Sequence, residues 1–243
     1  MKNFLLTGRP GSGKSTVISK TVSLLREKGV KVGGIYCPEV REGGRRVGFE
    51  IRDLMTGERG ILAHVDLQTE PHVGKYGVNL ETLERMGREG IRRALEGAEV
   101  VVVDEIGPME VLSKGFREAV LQALSSPLPV LAAVHFKTQG GFIGEVKKRK
   151  DVKLLEVSPS NLSSLPSLLA GEILGLVRAA GDSCAQKRKK GEGEKSQEHE
   201  GEGKGVPGGS QVGRGGEGGK EPRKAGWGEE EGPGGRRYHS PGG

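Results

Sequence analysis

Residues 8–15 read Gly8-Arg9-Pro10-Gly11-Ser12-Gly13-Lys14-Ser15, a full G-x-x-x-x-G-K-[ST] phosphate-binding loop that begins where the apolar run Phe4-Leu5-Leu6 ends. Its glycines let successive backbone N–H groups curl round an anionic phosphate, and a helix starting at Ser15 points the positive end of its dipole at the same place. Lys14 is then set to reach the β- and γ-phosphates, and the Ser15 hydroxyl to ligate Mg²⁺. The motif gains its meaning from a strand before it and a helix after it, and both are present. Val17, Ile18, Val22, Leu24 and Leu25 recur at helical spacing, and Gly29 stands where a left-handed C-cap belongs.

The composition of the 243 residues divides the chain in two. Residues 1–181 have the aliphatic content of a folded domain. From Asp182 onward Gly, Glu, Lys and Arg dominate, as in Gly191-Glu192-Gly193-Glu194 and Gly213-Arg214-Gly215-Gly216. Too little apolar surface is on offer there to offset the chain entropy lost on folding, so 182–243 reads as a disordered tail. The net charge of +6 is spread over body and tail, which gives only a mild bias toward anionic partners. Nucleotides satisfy that bias, and a nucleic-acid partner is left open by the basic tail alone. Cys37 and Cys184 have no metal-type spacing, which argues against a zinc site and a disulfide framework and for a reducing compartment. Met1-Lys2 lead straight into the first strand, and no apolar run approaches the roughly 20 residues of a membrane span. The expectation is a soluble, cytoplasmic protein with no membrane partner, a monomer being favoured.

Along the body, the pattern predicts a strand at 3–7, the loop, a helix at 15–28 and a strand at 30–36. Short β-like pieces follow between residues 39 and 79, punctuated by Gly43-Gly44 and Thr56-Gly57, and read as antiparallel hairpins added to the main sheet. Asn79 is placed to cap a helix running to about residue 96. Val100-Val101-Val102-Val103 is a continuous apolar strand suited to the middle of a parallel sheet. A helix at 113–125, a strand at 130–134, a basic helical stretch at 142–149, a strand at 152–157 and a helix at 160–177 complete the alternation. The fold class is α/β: a three-layer phosphate-loop NTPase fold with a mainly parallel central sheet and a β-hairpin insertion, its ligand sites at the carboxyl ends of the strands.

That apolar strand ends in Asp104-Glu105. An aspartate at the tip of a buried strand beside the loop holds Mg²⁺, and the adjacent glutamate orients and deprotonates an attacking water. Small-molecule kinases exclude water, so the second acid favours hydrolysis. Ile106-Gly107-Pro108-Met109-Glu110 form the turn after it, and His135 ends the next strand, where it would face the same phosphate. Candidates for neutralising transition-state charge are Arg41, Arg45 and Arg46 in the hairpin and the run Lys147-Lys148-Arg149-Lys150, with Arg149 first and Arg46 second.

With the loop, the Gly43-Gly44-Arg45-Arg46-Val47-Gly48-Phe49 hairpin, the Asp104-Glu105-Ile106-Gly107-Pro108-Met109-Glu110 run and Arg149-Lys150-Asp151-Val152 in order, residues 1–177 resemble the THEP-type nucleoside-triphosphatases, a family of thermostable prokaryotic enzymes and the animal cancer-related nucleoside-triphosphatase. The resemblance implies Mg²⁺-dependent hydrolysis of ATP, GTP and other nucleoside triphosphates to diphosphate and phosphate. Its nucleotide contacts map onto Gly8, Arg9, Pro10, Gly11, Ser12, Gly13, Lys14, Ser15 and Thr16, and onto Val103, Asp104, Glu105, Ile106, Gly107 and Pro108. Leu162 and the pair Phe136-Lys137 depart from a more basic family pattern. Two rival readings stay open from the sequence: a nucleotide or nucleic-acid kinase using the hairpins as an acceptor site, and a nucleotide-switched binding protein acting through its tail.

Overall fold

The computed structural model describes residues 1–195. The strands among them form one ten-stranded sheet. Its parallel part has β10 (Val152–Glu156), β1 (Asn3–Thr7), β9 (Val130–Val134), β8 (Val100–Ile106) and β2 (Val32–Tyr36) side by side. From β2 the sheet continues antiparallel through β4 (Arg45–Asp53), β5 (Arg59–His64), β7 (Tyr76–Val78) and β6 (His72–Val73), with β3 (Glu39–Glu42) folded back on β4. This is the expected three-layer α/β architecture with its hairpin insertion.

Strand alternation sorts the core into two. Phe4 and Leu6 of β1 face the layer holding α1 (Lys14–Glu27) and α6 (Leu165–Lys195), where Val17, Ile18, Leu169 and Ile173 bury against them. Leu5 faces the opposite layer, with Ile91 from α3 (Glu89–Gly97) and Phe116 from α4 (Lys114–Ser125). The four valines of β8 are fully buried and divide between the two cores, as a central parallel strand requires.

The expected helix ends are found at Gly29, which has φ 78° and donates to Arg26 O at 2.9 Å, and at Asn79, whose side chain accepts from Thr82 N at 2.9 Å. Between Asn79 and α3 the helix is not uniform. It runs through α2 (Leu80–Thr82) and a π-helical segment, Leu83–Arg88, in which Gly87 lets Phe116 pack closely. β8 extends to Ile106 rather than ending at Val103, and the β6–β7 hairpin was not anticipated, its strands being too short to show an alternating pattern. The boundary expected at 182 falls inside α6, which continues to Lys195. A scarcity of aliphatic residues tells against burial and not against helix, and Ala185, Gln186, Lys187, Arg188, Lys189 and Lys190 are strong helix formers. Residues 196–243 of the expected tail lie outside the described residues.

The antiparallel extension is tied to the main domain by a buried charge. Asp53, 2% exposed, accepts from Arg93 Nε at 3.0 Å and Nη2 at 2.8 Å through one oxygen, and from Met55 N at 2.7 Å and Thr56 N at 3.1 Å through the other. It thus closes the Thr56-Gly57 turn and clamps β4 to α3. Asp53→Ala is expected to lower unfolding stability by about 3 kcal/mol, since it strands the guanidinium and two turn N–H groups. Urea denaturation would measure this, and a change below about 0.5 kcal/mol would mean the clamp is unimportant.

Candidate active site

The loop after β1 folds because its glycines take backbone angles closed to other residues. Gly13 sits at φ 94° as the N-cap of α1, and Leu162 lies directly behind it, its Cδ1 2.6 Å from where a Cβ on Gly13 would stand. Leu162, one of the departures from the family pattern, therefore packs under the loop. α1 starts with Lys14, Ser15 and Thr16 in its first turn, without a side-chain cap. Its free N–H groups open onto a cleft of about 650 Å³.

Two acidic residues enter the cleft by an irregularity in β8. The β8–β9 ladder pairs Val103 with Ala132 and then Ile106 with Val134, so Asp104 and Glu105 together oppose one residue of β9. Neighbouring residues on a regular strand face opposite sides, and the irregularity lets both of these line the cleft. Asp104 is 1% exposed, and its Oδ1 accepts from the Ser15 hydroxyl at 3.1 Å. Its Oδ2 is buried with no partner among the described residues. Burial is the main reason its carboxyl is pushed up to about 7, with the Ser15 hydrogen bond and Lys14 opposing and Glu105 adding to the rise. Lys14 donates from Nζ to Gly8 O at 3.3 Å and stands 3.8 Å from Glu105 Oε2.

These donors fit a divalent cation of the Mg²⁺ kind. The Ser15 hydroxyl and the Asp104 carboxyl are hard oxygen ligands side by side, and the orphaned Asp104 Oδ2 is a buried acceptor awaiting a positive partner. Among the described residues no cluster of three His, Cys, Asp or Glu side chains is arranged to hold a metal alone. Such an ion would therefore take its remaining ligands from water and substrate phosphate.

Of the other sequence candidates, Gly8, Pro10, Gly11, Thr16, Gly107, Pro108, Met109 and His135 also line the cleft. Arg9 is exposed and Ser12 sits within the loop. Val103 and Ile106 are fully buried in the core and do not line the cleft, because the apolar neighbours of the acidic pair face the packed layers. Arg46 does reach the cleft wall. It donates from Nε to Tyr76 Oη at 3.0 Å and from Nη1 to Glu39 at 2.8 Å, and its guanidinium lies 5.1 Å from the Phe49 ring centroid. Arg41 and Arg45 are exposed, and Arg41 is occupied by Glu39 and Gly44 O.

Arg149, the first choice from sequence, is not brought to the site. It donates to Asp151 at 2.9 and 2.7 Å, and Asp151 in turn accepts from Asn3. Asn3 begins β1, whereas the phosphate loop follows its last residue, so Arg149 sits at the amino end of the parallel strands and the loop at the carboxyl end. Lys147 from the same basic run turns the other way. Its Nζ donates to Phe136 O at 3.0 Å and Thr138 O at 2.8 Å, pinning the segment after β9 that brings His135 to the cleft. His135 is held through Nδ1 by the Thr138 hydroxyl at 2.8 Å. Tyr76 carries no signal in the sequence, and Glu110, legible as part of the turn after the acidic pair, has no role there, because the positions of both depend on hairpin and turn geometry.

Comparison with known proteins points to the same chemistry. The sequence model of a family described as NTPase matches residues 3–170. The nucleoside-triphosphatase THEP1 of Thermofilum pendens is 54% identical over 177 residues, spanning 72% of this chain and 97% of that protein. Its counterpart from Thermotoga maritima is 42% identical over 175 residues, spanning 72% and 95%. Among solved structures, THEP1 from the hyperthermophile Aquifex aeolicus matches with a TM-score of 0.64 at 29% identity, over 70% of this chain and 98% of its own. A human cancer-related nucleoside triphosphatase matches with a TM-score of 0.60 at 37% identity, over 74% and 98%.

The placement of Arg149 has a kinetic consequence. Arg149→Ala is expected to leave kcat/KM for ATP within about twofold of the parent in steady-state phosphate release, and a loss of roughly tenfold or more would return that arginine to the site.

Proposed function

Because the chain belongs to the THEP1 family of nucleoside-triphosphatases, we propose a division of labour among its own residues for the nucleoside triphosphate hydrolysis that membership entails. The observation that carries the proposal is the convergence of Lys14, the Ser15–Asp104 pair and Glu105 on one cleft at the carboxyl ends of β1 and β8.

The glycine loop and the first turn of α1 cradle the phosphates through backbone N–H groups, and Lys14 neutralises charge on the β- and γ-oxygens. Ser15 and Asp104 would hold Mg²⁺, which when bound would supply charge neutralisation for the triphosphate. Glu105, its side chain about one third exposed at 30%, is open to water and accepts the proton of the attacking molecule. The water oxygen bonds to the γ-phosphorus as the bridging P–O bond breaks, and the diphosphate leaves with the bonding electrons. Arg46, which lines the cleft and is held by Tyr76 and Glu39, would add positive charge as the γ-phosphoryl group transfers. Backbone contacts to phosphate select no base, and turnover of ATP, GTP and other triphosphates alike rests on the family resemblance.

One observation favours a second reading, phosphoryl transfer to an acceptor. Phe49, Val73 and Tyr76 of the antiparallel extension line the same cleft as the phosphate loop and Glu105, and such a wall would hold an acceptor. Labelled γ-phosphate followed in the presence and absence of nucleosides and 5′-hydroxyl polynucleotides separates the two, because a kinase would show turnover stimulated by its acceptor.

For the hydrolytic reading, Lys14→Ala is expected to lower kcat/KM for Mg·ATP by a factor on the order of 10³. Glu105→Gln should keep nucleotide affinity within about threefold while kcat falls by about 10² to 10⁴. Phosphate-release kinetics with equilibrium binding of a labelled triphosphate would check both. Undiminished turnover in Glu105→Gln would remove the assignment of the base.

A further inference from the structure

Glu110 is a buried acid in the cleft that the account above leaves without a task. It opens the short 3₁₀ turn Glu110–Leu112 and is 6% exposed. Its Oε2 accepts from Gly107 N at 3.1 Å, so the side chain folds back over the turn that joins it to β8. Gly107 has no side chain to spare there: a Cβ would stand 2.9 Å from Glu110 Oε2 and 3.5 Å from Glu105 Oε1. The carboxyls of Glu105 and Glu110 therefore approach the same side of one backbone atom, and the peptide between them is held by one of the two. The 3₁₀ turn is itself secured, since Val111 N donates to Gly107 O at 3.1 Å and Ser113 N to Glu110 O at 3.2 Å.

From this geometry we propose that Glu110 is a positioning residue for hydrolysis: by gripping the Gly107 amide it fixes the end of β8, the strand that carries Glu105, and so sets where the Glu105 carboxylate points. The assignment rests on Glu105 being the group that activates water. A long flexible carboxylate at a strand end would otherwise sample several rotamers, and misplacement by about 1 Å costs on the order of a hundredfold in rate. Residues that orient a reacting group without touching substrate are usually felt in kcat more than in binding.

The charge state of Glu110 suits the task. Burial first, and then the nearby negative charge of Glu105, push its carboxyl up to about 8. The other titratable groups facing it are Asp104, itself raised, and the Cys37 thiol, which burial pushes up and keeps uncharged. Glu110 thus carries a proton at neutral pH and adds no charge beside Glu105 and Lys14. As pH rises through about 8 that proton is lost, and a further negative charge appears where a triphosphate has to enter.

The test is a pH series of kcat and KM for Mg·ATP, from about pH 6 to 9.5, on the full chain and on Glu110→Gln, Glu110→Ala and Glu105→Gln. Because kcat/KM reports groups of the free enzyme, the parent is expected to lose kcat/KM on the alkaline side near pH 8. Glu110→Gln still offers an oxygen to Gly107 N and cannot ionise. It should keep kcat at pH 7 within about threefold and lose the alkaline fall. Glu110→Ala should lower kcat by about 10- to 100-fold with KM within about threefold. An alkaline limb unchanged in Glu110→Gln overturns the proposal, as does a Glu110→Ala enzyme with parental kcat or with a loss confined to KM. If Glu110→Ala does not fold, the Glu110→Gln profile alone decides. Full activity in Glu105→Gln would instead overturn the assignment of the base, a result distinct from every outcome at position 110.

Discussion

The buried contact between the Asp104 carboxyl and the Ser15 hydroxyl is the point on which the site depends, because it joins two elements the sheet keeps apart. β9 lies between β1 and β8. At about 4.8 Å per strand, the loop after β1 and the acid after β8 are separated by two strand spacings. α1 closes the gap by starting directly over the sheet, which brings Ser15 within 3.1 Å of Asp104. The crevice left between loop and strand end is where an open α/β sheet presents ligands. Burying an acid there is costly, and the 1% exposure and raised carboxyl of Asp104 express that cost. An orphaned Oδ2 is tolerable in a cleft whose substrate arrives with cations.

The acidic pair is useful only because β8 is irregular. A regular strand would send Asp104 and Glu105 to opposite layers, and one of them would be buried in an apolar core with no partner. The two-for-one step against β9 keeps both on the cleft, the first deep and the second open to water. The turn that follows is stabilised from Glu110, so three carboxyls share a small volume without three charges. Two of them, at about 7 and about 8, are raised chiefly by burial. Glu105 is the acid that stands 3.8 Å from Lys14 Nζ.

Much of this was legible in the sequence. The glycine loop, the strand and helix that flank it, the acids at the end of a valine run and the hairpin pattern each follow from local rules that hold regardless of tertiary context. What was not legible depends on which end of an element faces the site. Lys147, Arg149 and their neighbours look alike as a basic run, yet Lys147 turns toward the segment after β9 and Arg149 toward the start of β1. Val103 and Ile106 sit beside the acids in sequence but belong to the core, and only the register of β8 tells them apart. The extension of α6 past 182 was hidden because a segment with little to bury can still be helical.

The central claim is that the Ser15 oxygen and the Asp104 carboxyl together hold a divalent cation beside the triphosphate, and it can be tested at the oxygen itself. Ser15→Cys replaces a hard ligand by a softer one, which Mg²⁺ tolerates poorly and Mn²⁺ tolerates better. The account predicts that ATP turnover by Ser15→Cys with Mg²⁺ falls by about a hundredfold, and that Mn²⁺ restores it roughly tenfold beyond any effect Mn²⁺ has on the parent. An equal loss with both metals would contradict a direct contact between residue 15 and the ion.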